Sequence, residues 1–473
     1  MSVPESVASL SQHVRPRTFF GEPRALAYLA FTEAWERFSY YGMTAILVLY
    51  MSQSLFLAGH IEKVVGFAAL RAGLESVFGT MTALALSSLI FGLYTGAVYA
   101  TPVLGGWLAD RWLGRRNAVV SGALMMSAGH LAMAFDASFL VALVLLVFGC
   151  GFLKGNISTQ VGSLYPPTAA AGPTRGFAIF SIGINVGAVV GPLACGWLAQ
   201  LYGWHAGFGL AGILMLIGLA TYLAGYRELT DSIRSAAAAH SPKIPLDRQQ
   251  WNTVLALLAV MGITIFQSIA YYQCGDIAMV WIDRDVDLNL LGFRVPVAWF
   301  NSIDSLVAIL AVPFLFALWR WQAERGKEPG EVGKIGIGAW IACLANLLLV
   351  AGCATSDRVP VLLPFAYFTL LGIAFLYYWP ALLALVARAA PLRIRATLMG
   401  IVFLTMFVAN VVIGWLGSLY ERMSAAQFWA VHAAIAAMGG ILVLIFERHL
   451  SSIIERGIDR GPLDLRAESA GIN

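Results

Sequence analysis

Three charged residues stand inside an apolar stretch near the start of this 473-residue chain. Glu33, Glu36 and Arg37 are flanked on both sides by almost entirely hydrophobic segments. On a helix, positions three and four apart share one face, which would also carry Tyr40. A charge at membrane depth costs about 2.5–3.5 kcal/mol on insertion scales, so this face must look into protein or water. Two acids share one base, and the spare carboxylate could carry a proton; the alternative is a static ion pair between helices.

The composition predicts a membrane protein. Hydrophobic residues make up 59% of the chain and charged residues 12%, whereas a soluble protein carries about twice that share of charge. Stretches of about 20 apolar residues recur, and each is long enough to cross a bilayer. We predict an all-α membrane protein with twelve transmembrane helices, at residues 25–51, 78–108, 117–135, 139–162, 177–201, 206–226, 252–281, 299–321, 335–354, 361–387, 397–420 and 427–447.

A polar, charged segment containing Pro242 and Pro245 separates six spans from six. In transporters with such repeated halves, the substrate site lies near the midplane between them. The predicted units are an N-terminal tail (1–24), an N-terminal six-helix bundle (25–226), a linker (227–250), a C-terminal six-helix bundle (251–448) and a C-terminal tail (449–473).

The basic residues predict the orientation of these spans. Arg37 and Lys154 lie inside predicted spans, and most of the remaining 28 fall in the termini and even-numbered loops. The positive-inside rule then places both termini, and the linker, in the cytoplasm. The first 21 residues lack an apolar run that ends in a small-residue cleavage site, so we expect no cleaved signal peptide. Only six basic residues fall in odd-numbered loops: Lys63, Arg71, Arg284, Arg294, Arg358 and Arg422.

Motifs for other kinds of chemistry are missing from the sequence. The five cysteines lie in apolar segments without CxxC or metal-ligand spacing, as small buried hydrophobic residues do. We find no nucleophile elbow, zinc-protease motif or phosphate-binding glycine loop, and no basic run interleaved with aromatic residues. We therefore expect no catalytic residue, metal, cofactor or nucleic-acid partner, and a protein that is not an enzyme.

Residues 33–42 read Glu-x-x-Glu-Arg-Phe-x-Tyr-Tyr-Gly. This segment resembles the first-helix signature of the proton-coupled oligopeptide transporter (POT) family, a branch of the major facilitator superfamily, at every position of the motif. The resemblance implies the major facilitator fold, in which two six-helix bundles rock about a central site. It also implies that the protein imports small peptides together with protons.

Three further segments resemble the same family. Between spans two and three, Gly106, Asp110 and Arg111 match the loop that gates the conformational change, with Asp110 expected to pair across the bundle. In span four, Lys154 matches a lysine that contributes to proton coupling and binds the substrate carboxylate; snorkelling of its side chain towards the interface is the alternative. In span five, Asn185 matches an asparagine that contacts the peptide backbone.

The C-terminal half departs from the family pattern. Tyr272 and Thr44 stand where the family has a glutamate and an arginine that pair between the bundles. It is physically consistent that the glutamate and the arginine are both missing, because losing only one would leave a buried charge without a partner, at a cost of about 3–5 kcal/mol. Phe375 replaces the glutamate that holds the peptide amine, and Trp379 replaces a neighbouring serine. Asp304 stands in place of an asparagine. We expect that Asp304 now receives the substrate amine in place of the missing glutamate. The alternatives are that Asp304 caps a local backbone kink or pairs with a buried base.

We therefore expect a proton-driven symporter that imports small peptides or peptide-like solutes by alternating access. It would be a monomer in the plasma membrane, a bacterial inner membrane, surrounded by lipid. The alternative is a POT-family transporter of a non-peptide amine or drug-like solute; a channel would need rings of polar groups, which these clustered charges do not make. The expected proton-coupling residues are Glu33, Glu36, Arg37 and Lys154, and the expected substrate-binding residues are Arg37, Tyr40, Tyr41, Tyr99, Lys154, Asn185, Tyr272, Asp304, Phe375 and Trp379.

Overall fold

The computed structural model describes most of the chain. Part of the predicted linker, residues 230–245, lies outside the described residues, as do residues 1–17 of the predicted N-terminal tail and 471–473 of the C-terminal one. The described ranges are 18–19, 21–165, 172–229, 246–355 and 358–470, with the backbone alone at 19, 172–174, 355 and 459–470.

Helices make up nearly all of the regular structure in these ranges. They are α1 (Arg24–Tyr50), α2 (Phe67–Phe78), α3 (Ala83–Leu108), α4 (Arg115–Ala132), α5 (Phe139–Ser163), α6 (Gly172–Tyr202), α7 (Trp204–Gly225), α8 (Arg248–Tyr272), α9 (Ile277–Asp285), α10 (Asn301–Ala323), α11 (Glu331–Thr355), α12 (Leu362–Ala389), α13 (Arg395–Gly417) and α14 (Ala425–Ala470).

Six two-residue strands form three small pairs beside the helices. The antiparallel pairs are β1 (Thr18–Phe19) with β2 (Glu22–Pro23) and β4 (Asn289–Leu290) with β5 (Phe293–Arg294), and the parallel pair is β3 (Val286–Asp287) with β6 (Val359–Pro360).

The described helices confirm an all-α membrane protein. Ten of them are long and apolar enough to cross a bilayer. The helices α1 and α4 are more polar than these ten, and α2 and α9 are short. The count of twelve spans stays a prediction, but each predicted span coincides with a helix of the structure, or, for the seventh, with two.

The predicted seventh span is interrupted, and one helix of the structure was not predicted. A 3₁₀ turn at Gln273–Gly275 and an irregular backbone at Asp276 (φ −111°, ψ −109°) separate α8 from α9. The short helix α2 lies in the loop after α1, where the sequence carries no long apolar run. Phe67 of α2 is buried, and Leu70 and Leu74 are partly buried against the same core, so this helix packs through one narrow face.

The helices group into two halves by their packing. In the N-terminal half, α1 packs against α6 and α7, and α5 packs against α3 and α4. In the C-terminal half, α11 packs against α12 and α14, and α14 packs against α8. The halves meet where α3 lies against α13 and where α6 lies against α10. A seam between two helical halves is the place where a central transport site is expected.

Glycines bring the α1 and α6 backbones together. A Cβ atom added at Gly187 would lie 2.4 Å from the carbonyl oxygen of Ala34, and one added at Gly191 would lie 2.4 Å from that of Phe38. Small residues four apart are the pattern that membrane helices use for close packing. This contact positions α1, and its charged residues, deep within the N-terminal half.

Two adjacent glycines in α3 differ sharply in their surroundings. A Cβ added at Gly105 would lie 2.1 Å from the carbonyl oxygen of Gly151 in α5, whereas one added at Gly106 would meet nothing within 4 Å. We expect Gly105→Ala to destabilise the protein by about 1–3 kcal/mol through overpacking. Gly106→Ala should leave it unchanged or raise its stability slightly, because alanine favours helix. Thermal unfolding of the two purified variants makes the comparison, and equal melting temperatures would contradict it.

Candidate substrate and proton site

The charged cluster of α1 is completely enclosed by protein. Glu33, Glu36 and Arg37 are 2%, 0% and 3% exposed, respectively. The Arg37 guanidinium donates from Nη2 to Oε1 of Glu36 at 2.7 Å and from Nε to Oε2 of the same side chain. Glu33 Oε1 lies 3.3 Å from Arg37 Nε, while Glu33 Oε2 has no hydrogen-bond partner among the described residues. The spare carboxylate of the cluster is therefore Glu33.

Two tyrosines on the next turn of α1 extend this cluster. The Arg37 guanidinium carbon lies 5.3 Å from the ring centroid of Tyr40 and 6.0 Å from that of Tyr41. Cations at such distances are attracted to an aromatic ring face. Tyr40 is buried, while Tyr41 is only half-buried. The middle of helix α1 thus presents an ion-paired turn, followed by an aromatic turn, to the interior.

Lys154 lies on α5, inside the N-terminal half. Its Nζ atom lies 4.7 Å from the ring centroid of Tyr99 on α3. In the described part of the chain no carboxylate lies within 4 Å of this ammonium, although Glu33 and Glu36 are close enough to influence it. Because the side chain points at α3, it does not run along α5 towards the membrane surface. Its cation is held by an aromatic face and not by an acid.

Tyrosines connect Lys154 to the opposite half. The hydroxyls of Tyr99 and Tyr272 lie 3.4 Å apart and join α3 to α8. The ring of Tyr271, the preceding residue, is 5.0 Å from that of Tyr272, and its hydroxyl donates to Asp304 Oδ2 at 2.6 Å. A continuous line of aromatic contacts therefore runs from the lysine of one half to a carboxylate of the other.

Asp304 is held by hydrogen-bond donors without a countercharge. Its Oδ1 accepts from the backbone nitrogen of Ser305 at 2.6 Å and from the Ser305 hydroxyl at 3.3 Å. No lysine or arginine of the described ranges lies within 4 Å of it, so the pairing with a buried base does not occur there. The bond to the Ser305 nitrogen fits the alternative of local capping. The missing countercharge fits the other interpretation, in which Asp304 receives the substrate amine.

Aromatic rings from α12 line the wall beside this carboxylate. Phe375 stacks on Tyr271, with centroids 5.4 Å apart and planes 28° apart. Trp379 stacks on Phe375 at 6.3 Å and 23°. The sequence indicated Phe375 and Trp379 but not Tyr271, which holds Asp304. The only sequence feature of Tyr271 is its position next to Tyr272 in an apolar run. A sequence does not show which of two adjacent tyrosines contacts an acid on another helix.

The other predicted site residues make local contacts. Asn185 is half-buried, and its side chain donates to the Ser181 carbonyl of its own helix at 3.0 Å. Asp110 pairs with Arg115, five residues further along, at 3.3 Å. The expected pairing of Asp110 across the bundle is therefore wrong for this structure, because Arg115 at the start of α4 lies closer. The side chain of Arg111 is exposed and rests beside the rings of Trp107 and Trp112.

A second buried carboxyl lies at the seam between the halves. Asp276 is 0% exposed, and its Oδ2 accepts from the hydroxyl of Ser88 on α3 and from Gln273 Nε2, the latter at 3.3 Å. Its Oδ1 has no partner among the described residues. Asp276 therefore joins α3 to the break between α8 and α9.

Fold and site together define a membrane transporter whose polar site residues lie along the seam between two helical halves. A sequence model of the POT family matches residues 116–241 and 230–432. The chain belongs to the POT family, and like the members of that family it is a transporter and not an enzyme.

Individual relatives match along most of the chain. An uncharacterised transporter of Bacillus subtilis, YclF, is 30% identical, over 95% of this chain and 98% of its own. The peptide transporter YePEPT of Yersinia enterocolitica is 28% identical, over 91% and 95% respectively. Among solved structures, a mutant of peptide transporter POT in complex with alafosfalin is 26% identical, with a TM-score of 0.79 over 93% of this chain and 97% of that one.

The two acids of the α1 cluster should respond differently to neutralisation. Glu36→Gln removes the charge that binds Arg37 through two hydrogen bonds, and breaking a buried pair in this way costs about 3–5 kcal/mol. Glu33→Gln removes a carboxylate with one unpartnered oxygen, so we expect a change of about 1 kcal/mol or less. Thermal unfolding in detergent, at one pH and lipid content, measures the difference. A Glu33→Gln variant that melts below Glu36→Gln would contradict this description of the cluster.

Proposed function

We propose that this chain is a proton-coupled symporter that imports small peptides or peptide-like zwitterions by alternating access. The observation that carries the proposal is the separation of charge along the line of tyrosines that joins the two halves. Lys154 lies at one end of this line and Asp304 at the other, each without an ion-pair partner within 4 Å in the described part of the chain. A peptide carries an ammonium at one end and a carboxylate at the other, which suits an acid and a base held apart in this way.

Glu33 is the best placed proton carrier. A carboxyl removed from water favours its neutral form, while a nearby cation favours the ionised form. Glu36 has the close contact with Arg37, and Glu33 has the weaker one together with an oxygen left without a partner among the described residues. Glu33 can therefore gain and lose a proton while Arg37 keeps its ion pair with Glu36. Substrate bound at Lys154 would change the charge near Glu33 and so couple the two events.

The alternative substrate, a non-peptide amine or drug-like solute, is favoured by the wall around Asp304. The stacked rings of Tyr271, Phe375 and Trp379 form an apolar, polarisable surface beside a single carboxylate. Such a surface attracts ammonium groups by cation–π interaction. A bulky amine would fit it as well as a peptide amino terminus does. The carboxylate-binding wall at Lys154 favours the peptide.

The proposed setting is the bacterial plasma membrane, with both termini in the cytoplasm. It rests on the positive-inside distribution of lysine and arginine. The proton gradient across that membrane is directed inwards. No cofactor is required for the proposed coupling, because the driving force is the proton gradient itself.

Reconstituted protein tests the coupling. With a pH gradient that is acidic outside the liposomes, the parent should accumulate a labelled dipeptide above its external concentration, which a channel cannot do. Glu33→Gln should lose this accumulation and keep counterflow exchange of the same dipeptide, since binding and rocking remain. If Glu33→Gln accumulates the dipeptide as well as the parent does, another residue carries the proton. If the parent itself does not accumulate the dipeptide, the chain is not a proton symporter of it.

The amine wall is tested by Asp304→Asn, which removes the charge at nearly constant volume. We expect substrates that carry an ammonium group to bind at least about tenfold more weakly, equivalent to 1.4 kcal/mol. The matched ligand is the N-acetylated form of the same dipeptide, whose affinity should not change. Tyr271→Phe, which removes one hydrogen bond to Asp304, should have a smaller effect. Unchanged affinity for the ammonium form would remove Asp304 from the site.

A further inference from the structure

A short hairpin lies over one end of the seam between the two halves. Residues 286–296 connect α9 to α10 and contain β3, β4 and β5. The two-residue turn between β4 and β5 has positive φ at Leu291 (52°) and Gly292 (83°), as a type I′ turn requires. We call residues 286–296 the strap. We call its side of the protein the outer face, because the positive-inside prediction places it outside the cytoplasm.

The base of the strap is fixed to the C-terminal half. Its first strand pairs with β6, which lies between α11 and α12. Val286 and Leu288 are 3% and 4% exposed, whereas Leu291 at the tip is fully exposed. The strap therefore moves with the C-terminal half, and any contact that it makes with the N-terminal half crosses the seam.

Aromatic rings form the first such contact. The ring of Phe293 stacks on that of Trp197 in α6, with centroids 5.5 Å apart and planes 29° apart. It also lies 5.7 Å from the ring of Trp299, which is 5.9 Å from Trp197. The Trp299 indole nitrogen donates to the Leu193 carbonyl of α6 at 2.9 Å. Close aromatic pairs of this kind are favourable beyond the area that they bury.

Polar groups form the second contact. Gln200 of α6 donates from Nε2 to the Arg294 carbonyl at 3.1 Å. Arg294 donates to Asp283 Oδ1 at 3.2 Å, and Gln53, just beyond α1, donates to Asp283 Oδ2 at 2.9 Å. Two residues of the N-terminal half thus bind the strap or the end of α9 beside it.

A cavity of about 340 Å³ lies beneath the strap. Its lining comes from both halves, including Leu49 and Ala199 on one side and Val295 and Ala298 on the other. A space with such walls would widen when the halves separate at this face. The strap contacts lie across the path of that opening.

We propose that the strap is a latch that holds the outer face closed, chiefly by seating Phe293 against Trp197. The proposal rests on the alternating access proposed above, because a latch acts only if this face opens. Ligands and contacts shift a two-state equilibrium by their differential interaction with the two states. The strap contacts cross the seam, so opening at this face would break them, and their removal should increase the fraction of open molecules.

The test is the accessibility of the cavity under the strap. Ala199→Cys places a thiol in a lining position that is 9% exposed. In intact cells, its rate of labelling by a membrane-impermeant maleimide reports opening of the outer face. The parent without this change gives the background from the five natural cysteines, four of them buried and one partly buried. No substrate is needed for the measurement.

In this background, Phe293→Ala should raise the labelling rate about fivefold, the effect of one lost aromatic contact on a two-state opening. Leu291→Ala removes an exposed side chain from the same hairpin and should leave the rate unchanged. Gln200→Leu keeps the hairpin intact, removes its bond to the Arg294 carbonyl, and should give a smaller rise.

An unchanged rate in both Phe293→Ala and Gln200→Leu overturns the latch. An equal rise in Leu291→Ala also overturns it, since that result means general loosening of the hairpin. A rise in Phe293→Ala alone supports the latch and assigns it to the rings. The proposed function fails by a different result, namely the absence of proton-driven accumulation by the parent in liposomes.

Discussion

The cost of burying charge is the constraint on which the other features of the structure rest. Arg37 cannot lie at membrane depth without an acid beside it, because a lone charge there costs several kcal/mol. Glu36 meets that requirement with two hydrogen bonds. The pair must also be shielded from lipid, which explains why α6 approaches α1 so closely. The absence of a side chain at Gly187 makes this approach possible, because a Cβ atom added there would lie 2.9 Å from the Cβ atom of Arg37.

The same constraint gives Glu33 and Asp304 their significance. Each is a carboxyl in a largely apolar environment, without a full ion pair in the described part of the chain. A protein that needed only stability could replace both by apolar residues, since buried ionic groups are weak contributors to stability. Their presence is therefore better explained by the exchange of a charged partner. In the proposed function, this partner is a proton for Glu33 and an ammonium group for Asp304.

The seam between the halves combines close backbone contact with a small number of polar links. A Cβ added at Gly92 of α3 would lie 2.4 Å from the Asn410 carbonyl of α13, so the surfaces fit without side chains between them. Ser88 and Asp276 link the halves near this contact, and Tyr99 and Tyr272 link them deeper inside. A seam with few polar links and without interdigitated side chains at this contact can open and close at modest cost, unlike a packed core, whose interdigitated side chains resist movement.

The membrane class, the family and most of the helices could be predicted from the sequence. Apolar stretches of bilayer length are a one-dimensional signal, and so is the spacing that puts Glu33, Glu36 and Arg37 on one helical face. The division into units at the linker stays a prediction, since residues 230–245 lie outside the described structure.

The partners that these residues take were visible only in the folded chain. The α1 motif places both acids within reach of Arg37, and the geometry alone leaves an oxygen of Glu33 without a partner among the described residues while Glu36 is fully engaged. Asp110 was expected to bind across the bundle and instead binds Arg115. Tyr271, which holds Asp304, lies 33 residues from it along the chain. Contacts between distant segments depend on how helices cross and rotate, and those angles are set by packing of the whole bundle, which no local pattern encodes.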